Sequence, residues 1–498
     1  MESIQQLKDI ENFSELGFIR QKEEGLTEIF SRLLGQFNLN RINALFDQCK
    51  CRGVDPKSIF HVLFMLPFVG LMNVRSLLLS GYSEELTAGK DAYYTFLSNP
   101  RIPWRKIVIL FARQFLRLVK RKSVDGPVDS PQCLVVDDSI LEKRGKKMEF
   151  IGRVFDHSSH GYILGYKLLT LGFWDGKSFL PVDFSIHHEG GKNKKRGLKS
   201  SELKKQYKKQ RKKVDAGWQR VSEISRSKSE VALQMIRRAV KCGFCPKYVL
   251  ADSWFISAPF IKAISGLKRK ASQAVHVIGL MKTNRCLHLN NKIYKANKLP
   301  ELKRKQIKKS RKLKCSYIPF LVQYKGTDLK VFFVRMNGHQ NWKLLITTDT
   351  HLSFIKAMEY YQIRWSIEVF FKDCKQNLYL GKCQSVDFDT QIAAVSICFM
   401  NYMLLTLYKR FQSYESLGEI FKAFKDKIIE DTIVAKLWKL FIDIYTKVLA
   451  ELGVDCDCFV HKLINQVLSI DQIKASFAFL YSPGHKQRHN FVNIMSET

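Results

Sequence analysis

At 498 residues and 46% hydrophobic composition, the chain is long enough for two to four domains and too apolar to be a disordered basic tail. Its 82 lysines and arginines against 46 aspartates and glutamates leave a formal charge of +36 and an isoelectric point near 9.7, which points to a polyanionic partner, nucleic acid first. The 12 cysteines follow a polar N-terminal stretch, "MESIQQLKDIENF", so a reducing cytoplasm is expected and not a disulfide framework.

Residues 1–130 carry apolar side chains at three- and four-residue spacing, interrupted by Pro56 and Pro67, and close on the basic helix "WRKIVILFARQFLRLVKRK" from Trp104. This predicts a helical N-terminal domain, read as DNA-binding. The apolar runs "IFHVLFMLPFVGLM" from Ile59 and "IAAVSICFMNYMLL" from Ile392 are too short for membrane spans and are read as core helices, with no membrane partner.

The character changes at "SPQCLVVDDSILEKRG". The run Cys133–Val136 predicts a buried strand that delivers Asp137 and Asp138 to the end of a sheet. Two strands follow, "HGYILGYKLLTLGFW" and "SFLPVDFSIHH", joined through the hairpin signal Asp175-Gly176. The segment 192–213 then holds twelve lysines and arginines with one glutamate. Such a run is either a solvated face or a surface for the nucleic-acid backbone. The helix "SEVALQMIRRAVKCG" leads to the strand "PKYVLADSWF", ending on Asp252, then to the helix "SAPFIKAISGL" and the strand "AVHVIGLMK". Cys242 and Cys245 form a lone C-x-x-C with no second pair at zinc-finger spacing, so structural zinc is the weaker reading.

Residues 131–283 are thus read as the first part of a catalytic core, and 284–346 as an inserted β-rich subdomain. The insertion has turn signals at Asn290-Asn291, Lys325-Gly326 and Asn337-Gly338 and a second basic run at 303–314 with eight lysines and arginines. Residues 347–410 form the second part of the core. The helical region 411–498 contains "TIVAKLWKLFIDIYTKVLAEL", an apolar face that is either core or a dimerisation surface.

The stretch "YQIRWSIEVFFKDCK" carries the chemistry of that second part. As one helix it gathers Tyr361, Arg364, Glu368 and Lys375 within an arc of about 60°, opposite Ile363, Ile367, Phe370 and Cys374. The bland reading is a solvated face with an Arg364–Glu368 ion pair. The sharper one is a carboxylate set among phosphate-binding groups. The order strand, hairpin, helix, strand, helix fits an α/β, ribonuclease-H-like core flanked by helical regions, with its acids meeting at one end of a mixed sheet. Two divalent ions sharing a site require hard oxygen ligands, and carboxylates supply them.

With all positions and spacings intact, "YQIRWSIEVFFKDCK" resembles the Tyr-x2-Arg-x3-Glu-x6-Lys signature of DDE transposases of the insertion-sequence-four family. "VVDDS" resembles that family's first acid-bearing strand, an Asp followed one residue later by Ser or Thr, and "YVLADSWF" resembles its second. The resemblance spans roughly residues 130–410. It implies Asp137, Asp252 and Glu368 as catalytic acids and ligands of two Mg²⁺ ions, or of Mn²⁺ in their place, with Asp138 as the competing first acid. Tyr361, Arg364 and Lys375 then hold phosphates beside the cleaved strand end. Trp342, in "NWKLLITTD", resembles the insertion tryptophan on which a flipped base stacks; its competing reading is a core side chain. The implied activity is nicking at transposon ends and strand transfer, cut-and-paste and through a hairpin where a base is flipped. The implied partners are double-stranded DNA (terminal inverted repeats and target) and a second copy of the chain, at the bacterial nucleoid.

Overall fold

The computed structural model describes residues 35, 37, 39–49, 53–80, 86, 88–122, 130–191, 193–269 and 273–411. The polar N-terminal stretch and the residues after 411, with the helical and dimerisation readings made of them, lie outside these.

The described chain opens with helices α1 (Asn40–Asp47), α2 (Pro56–Met65), α3 (Val74–Leu78), α4 (Lys90–Leu97) and α5 (Trp104–Lys122). Local chemistry sets their starts. Asp55 accepts from the Lys57 amide at 3.2 Å with Pro56 at the first helical position, and Asn73 and Ser76 cap each other reciprocally. Phe46 binds these helices together, its ring 5.0 Å from Phe60, 5.3 Å from Phe96 and 5.8 Å from Trp104.

Next come β1 (Cys133–Glu142), β2 (Gly152–Asp156), β3 (Gly161–Trp174), β4 (Phe179–His187), α6 (Ser200–Lys204), α7 (Ala216–Glu223), α8 (Lys228–Lys241), β5 (Tyr248–Ala251), α9 (Ala258–Ser265) and β6 (His276–Met281). The segment 284–346 supplies β7 (Cys286–Leu289), β8 (Lys292–Lys295), α10 (Leu299–Leu302), β9 (Lys308–Ser310), β10 (Cys315–Tyr324) and β11 (Thr327–Met336), with β12 (Lys343–Thr347) at its end. Helices α11 (Phe354–Gln362), α12 (Trp365–Asn377) and α13 (Phe388–Phe411) complete the described chain.

All the described strands join one 12-stranded mixed sheet, ordered β2-β3-β1-β5-β6-β12-β11-β10-β7-β8, with β4 paired to β3 and β9 to β10. Among the described residues only β5 makes parallel pairs, to β1 on one side and β6 on the other. The apolar runs of β1 and β5 are buried on both faces, as parallel strands require. The β-rich segment 284–346 does not form a sheet of its own: β12 pairs antiparallel with β6, so its strands extend the core sheet. Its tight turns rest on left-handed residues, Asn290 and Asn291 at φ 49° and 63°, and Lys325 and Gly326 at φ 50° and 80°.

Several sequence expectations are revised. Strand β1 does not stop at Val136. Its parallel ladder with β5 ends at Val136↔Ala251, while its antiparallel ladder with β3 continues to Glu142↔Gly165. The short strand β2 is an addition, with no alternation in its sequence to mark it. The stretch 361–375 is two helices, because Ile363 and Arg364 form a turn whose amides bond three residues back, to Tyr360 and Tyr361 at 3.2 and 3.0 Å. Helix α13 is long and apolar enough to cross a membrane by length and composition, yet 94% of its apolar window is buried in the fold, in line with a core helix.

Candidate active site

Asp137 and Asp252 are the residues that immediately follow the last parallel pair, Val136↔Ala251. Adjacent strands lie about 4.8 Å apart, so the two carboxylates stand side by side where β5 ends beside β1. Alternation along β1 sends Asp137 and Ser139 to one face and Asp138 to the other. The contacts follow this division. Asp137 Oδ2 accepts from Arg364 Nη1 at 2.7 Å, and Ser139 Oγ accepts from Lys375 Nζ at 2.8 Å. Asp138, on the opposite face, is ion-paired with Lys228 at the start of α8.

Glu368 reaches the same place from α12. Arg364 Nη2 donates to Glu368 Oε1 at 2.6 Å, so one guanidinium bridges the first strand acid and the helix acid. The expected solvated i,i+4 pair exists, but it is half of a bridge into the sheet. Helix α12 is seated by its other side: Ile367, Phe370 and Cys374 are fully buried, and the Phe370 ring lies 5.3 Å from Phe179 of β4 and 5.1 Å from Phe399 of α13. Tyr361 lies near the end of α11, its ring centroid 5.9 Å from the Arg364 guanidinium carbon.

Burial pushes the Asp137 carboxyl up to about 7, against the pull of Arg364 and the Asp138 amide, with Asp252 and Asp138 pushing the same way as burial. Burial likewise pushes the Tyr361 phenol up to about 12, so it stays a hydrogen-bond donor at neutral pH. Burial works against the Arg364 charge, but Tyr361, Asp137 and Glu368 outweigh it and leave the guanidinium more firmly protonated than usual. Burial lowers the Lys375 ammonium.

Sequence reasoning missed two neighbours of this cluster. Trp254 is 49% exposed, and its amide donates to Asp252 Oδ1 at 2.9 Å. Lys228 lies 4.3 Å over the Trp254 ring while pairing with Asp138. "ADSWF" carried a signal for Trp254 in its adjacency to the acid; Lys228 carried none, since only the fold brings it to Asp138. Trp342 precedes β12, stacked under Arg335 at 4.6 Å. The register Ala251↔Gly279↔Ile346 puts it at the acid end of the sheet, about 10 Å across from β5 and about 10 Å further along.

The first basic run divides in two. Lys194, Lys195, Lys204, Lys205 and Lys208 are exposed. Arg211 is not: its side chain is 3% exposed, forked onto Glu149 at 2.6 and 3.0 Å and bonded to Asp389 at 2.9 Å. Lys209 pairs with Asp387 at 2.8 Å and Asp389 at 3.1 Å. These two charges therefore clip the chain to the start of α13 and are withheld from any backbone-binding surface.

Among the described residues no three carboxylate, histidine or cysteine side chains converge closely enough to hold a metal as they stand. The donor set still suits a divalent cation. Asp137, Asp252 and Glu368 offer hard oxygens only, two of them at adjacent strand positions with mutual repulsion that a cation relieves. Arg364 is the positive charge that bridges two of them now.

Residues 217–404 match the family model described as the transposase DDE domain. The match covers less than half of the chain and includes Asp252 and Glu368 but begins after Asp137. No curated protein matches the sequence. The match supports transposase activity on DNA, with a divalent metal ion as is general for such domains.

Proposed function

We propose that this protein is a DDE transposase of the insertion-sequence-four type that nicks DNA at the ends of its element and joins the freed 3'-hydroxyl to target DNA, on a ribonuclease-H-like core. The observation that carries the reading is that Arg364 bonds both Asp137 of β1 and Glu368 of α12, while Asp252 follows the strand β5 paired beside Asp137. Asp137, Asp252 and Glu368 would hold Mg²⁺ or Mn²⁺, and a bound pair of such ions supplies activation of the attacking oxygen and stabilisation of the leaving 3'-oxygen.

The chain's own residues do the positioning. Arg364 faces the acids with two donors committed to carboxylates; released from them, its planar fork suits a phosphate at the same spot. Tyr361, kept protonated, donates a hydrogen bond to a phosphate oxygen without changing charge. Lys375, on α12 and bonded to Ser139, sets a cation about two turns beyond Glu368 along the helix. Trp342 at the acid end of the sheet is the stacking partner for a flipped base on a hairpin route.

Glu368→Gln and Asp252→Asn are each expected to bind DNA carrying the element's inverted repeats as the parent does, and to lose Mg²⁺-dependent nicking by at least about a thousandfold, as when a metal-bound carboxylate is neutralised. Gel-shift and nicking assays on the same DNA check this; parental nicking by either variant refutes the assignment.

A further inference from the structure

A second charged feature lies away from the acids. Helices α5, α7 and α8 enclose a cleft of about 550 Å³ lined by Trp104, Arg105, Lys106, Arg113, Arg220 and Arg238. At its base a buried cluster carries more positive than negative charge. Arg105 bonds Asp183 at 2.9 Å and Glu223 at 2.7 and 2.9 Å, and Arg238 bonds Asp183 at 2.8 and 3.0 Å. Arg220 is the third guanidinium on these two acids. It donates one bond to the Phe184 carbonyl, stacks 4.3 Å over the Phe184 ring and reaches Asp183 only at 3.9 Å.

Two deeply buried donors of this lining have no partner: Arg220 Nη2 and Trp104 Nε1, in residues 4% and 3% exposed. A buried donor left unmade costs about 1–3 kcal/mol, more when charged, so each marks a place that suits an acceptor. Burial, followed by the neighbouring Arg105, disfavours the Arg220 charge, a penalty that an anion would relieve. Nearer the surface, Lys106 and Arg113 lie seven residues apart on one face of α5 and have no ion-pair partner among the described residues. The remaining wall is mixed: Ile102, Ile109 and Ile392 supply aliphatic carbon, and Arg101, Gln219 and Asp389, the last already held by Lys209 and Arg211, supply polar groups. Donors and cations interleaved with aliphatic carbon match a phosphate attached to a flat, weakly polar body.

We propose that this cleft binds a nucleotide-sized anion, its phosphate held by Arg220, Arg113 and Lys106 and its base laid against Ile102, Ile109 and Ile392. The volume is in the range of ordinary small-ligand sites and exceeds what a lone phosphate needs. The same chemistry comes from two sources, a nucleotide of a bound DNA strand or a free mononucleotide. The register Val136↔Leu171↔Asp183 sets the cluster two strands from β1, on the face of the sheet that carries Asp138, about 10 Å across. The cleft stands whether or not the acids cut DNA.

The test is calorimetric titration of the full-length protein with deoxyadenosine monophosphate. The double variant Lys106→Glu/Arg113→Glu, both outside the hydrophobic core, is expected to weaken binding by about tenfold or more, the loss of one or two charge-assisted hydrogen bonds. The control Lys292→Glu/Lys295→Glu makes the same charge change on the exposed strand β8 and should leave binding unchanged. No binding by the parent protein, or equal weakening by the β8 control, overturns the site. A short single-stranded oligonucleotide that displaces the mononucleotide identifies the DNA strand as the source, and failure to displace it identifies the free nucleotide. Because the readout is binding of a mononucleotide, it stays separate from any failure of the nicking assignment.

Discussion

Asp137 and Asp138 are neighbours with opposite surroundings. Asp137 shares a face of β1 with Ser139 and meets Arg364 and, through it, Glu368; Asp138 points to α8 and meets Lys228. Asp137→Asn is accordingly expected to abolish nicking. Asp138→Asn should retain it within about tenfold, because it removes an ion pair on the opposite face of the strand and no oxygen from the Arg364 side. Loss of nicking in Asp138→Asn with parental rates in Asp137→Asn would reverse the two roles. The spacing within "YQIRWSIEVFFKDCK" made Glu368, Arg364 and Lys375 legible from sequence, because they lie close along the chain. The bridge from Arg364 to Asp137 was not, since it joins residues 227 apart and depends on strand register. The choice between the two aspartates was open for the same reason: alternation says that they diverge, and only the packing of α8 and α12 says toward what.

The acid-bearing helix is placed by an element two strands away. Gly172 of β3 has the Phe179 ring of β4 where a side chain would be, so a Cβ there would overlap Phe179 Cζ. Phe179 in turn packs on Phe370 of α12, two residues past Glu368. Gly172→Ala must push Phe179 against α12, and overpacking of this kind costs about 1–3 kcal/mol. It is expected to lower the denaturation midpoint and, by moving Glu368, to slow nicking in the protein that remains folded. An unchanged midpoint and rate would show that α12 is seated by other contacts. Element existence was largely readable from periodicity and turn residues, including the Asp175-Gly176 hairpin, where Asp175 Oδ1 accepts from the Lys177 and Ser178 amides at 3.0 and 2.7 Å. The break at Ile363 and Arg364 was not readable, because no glycine or proline marks it and both residues keep right-handed helical angles.

Over the whole molecule, the +36 charge is unevenly committed. The exposed lysines of the first basic run are available to a phosphate backbone, whereas Arg211 and Lys209 are held by Glu149, Asp387 and Asp389. Charge reversal at Lys194, Lys195, Lys204 and Lys205 should weaken DNA binding and flatten its dependence on salt, by roughly one unit of slope for each phosphate that is no longer neutralised. Arg211→Ala should instead destabilise the fold by about 3–5 kcal/mol, since it leaves the buried Glu149 unpaired. A salt slope unaltered by the reversals, or a fully stable Arg211→Ala, would contradict this division. In the sequence the run reads as one basic block, because charge counts do not say which lysines face acids from another part of the chain.

Arg364 stands between Asp137 and Glu368, where the proposed mechanism puts cations. A crystal of the protein grown with Mn²⁺ and DNA ends, measured at the manganese absorption edge, tests this directly. The expected result is anomalous density held by Asp137, Asp252 and Glu368, with the Arg364 guanidinium moved off the carboxylates and onto a phosphate. Manganese bound through Asp138 instead, or density absent while Arg364 keeps both of its carboxylate bonds on bound DNA, would contradict it.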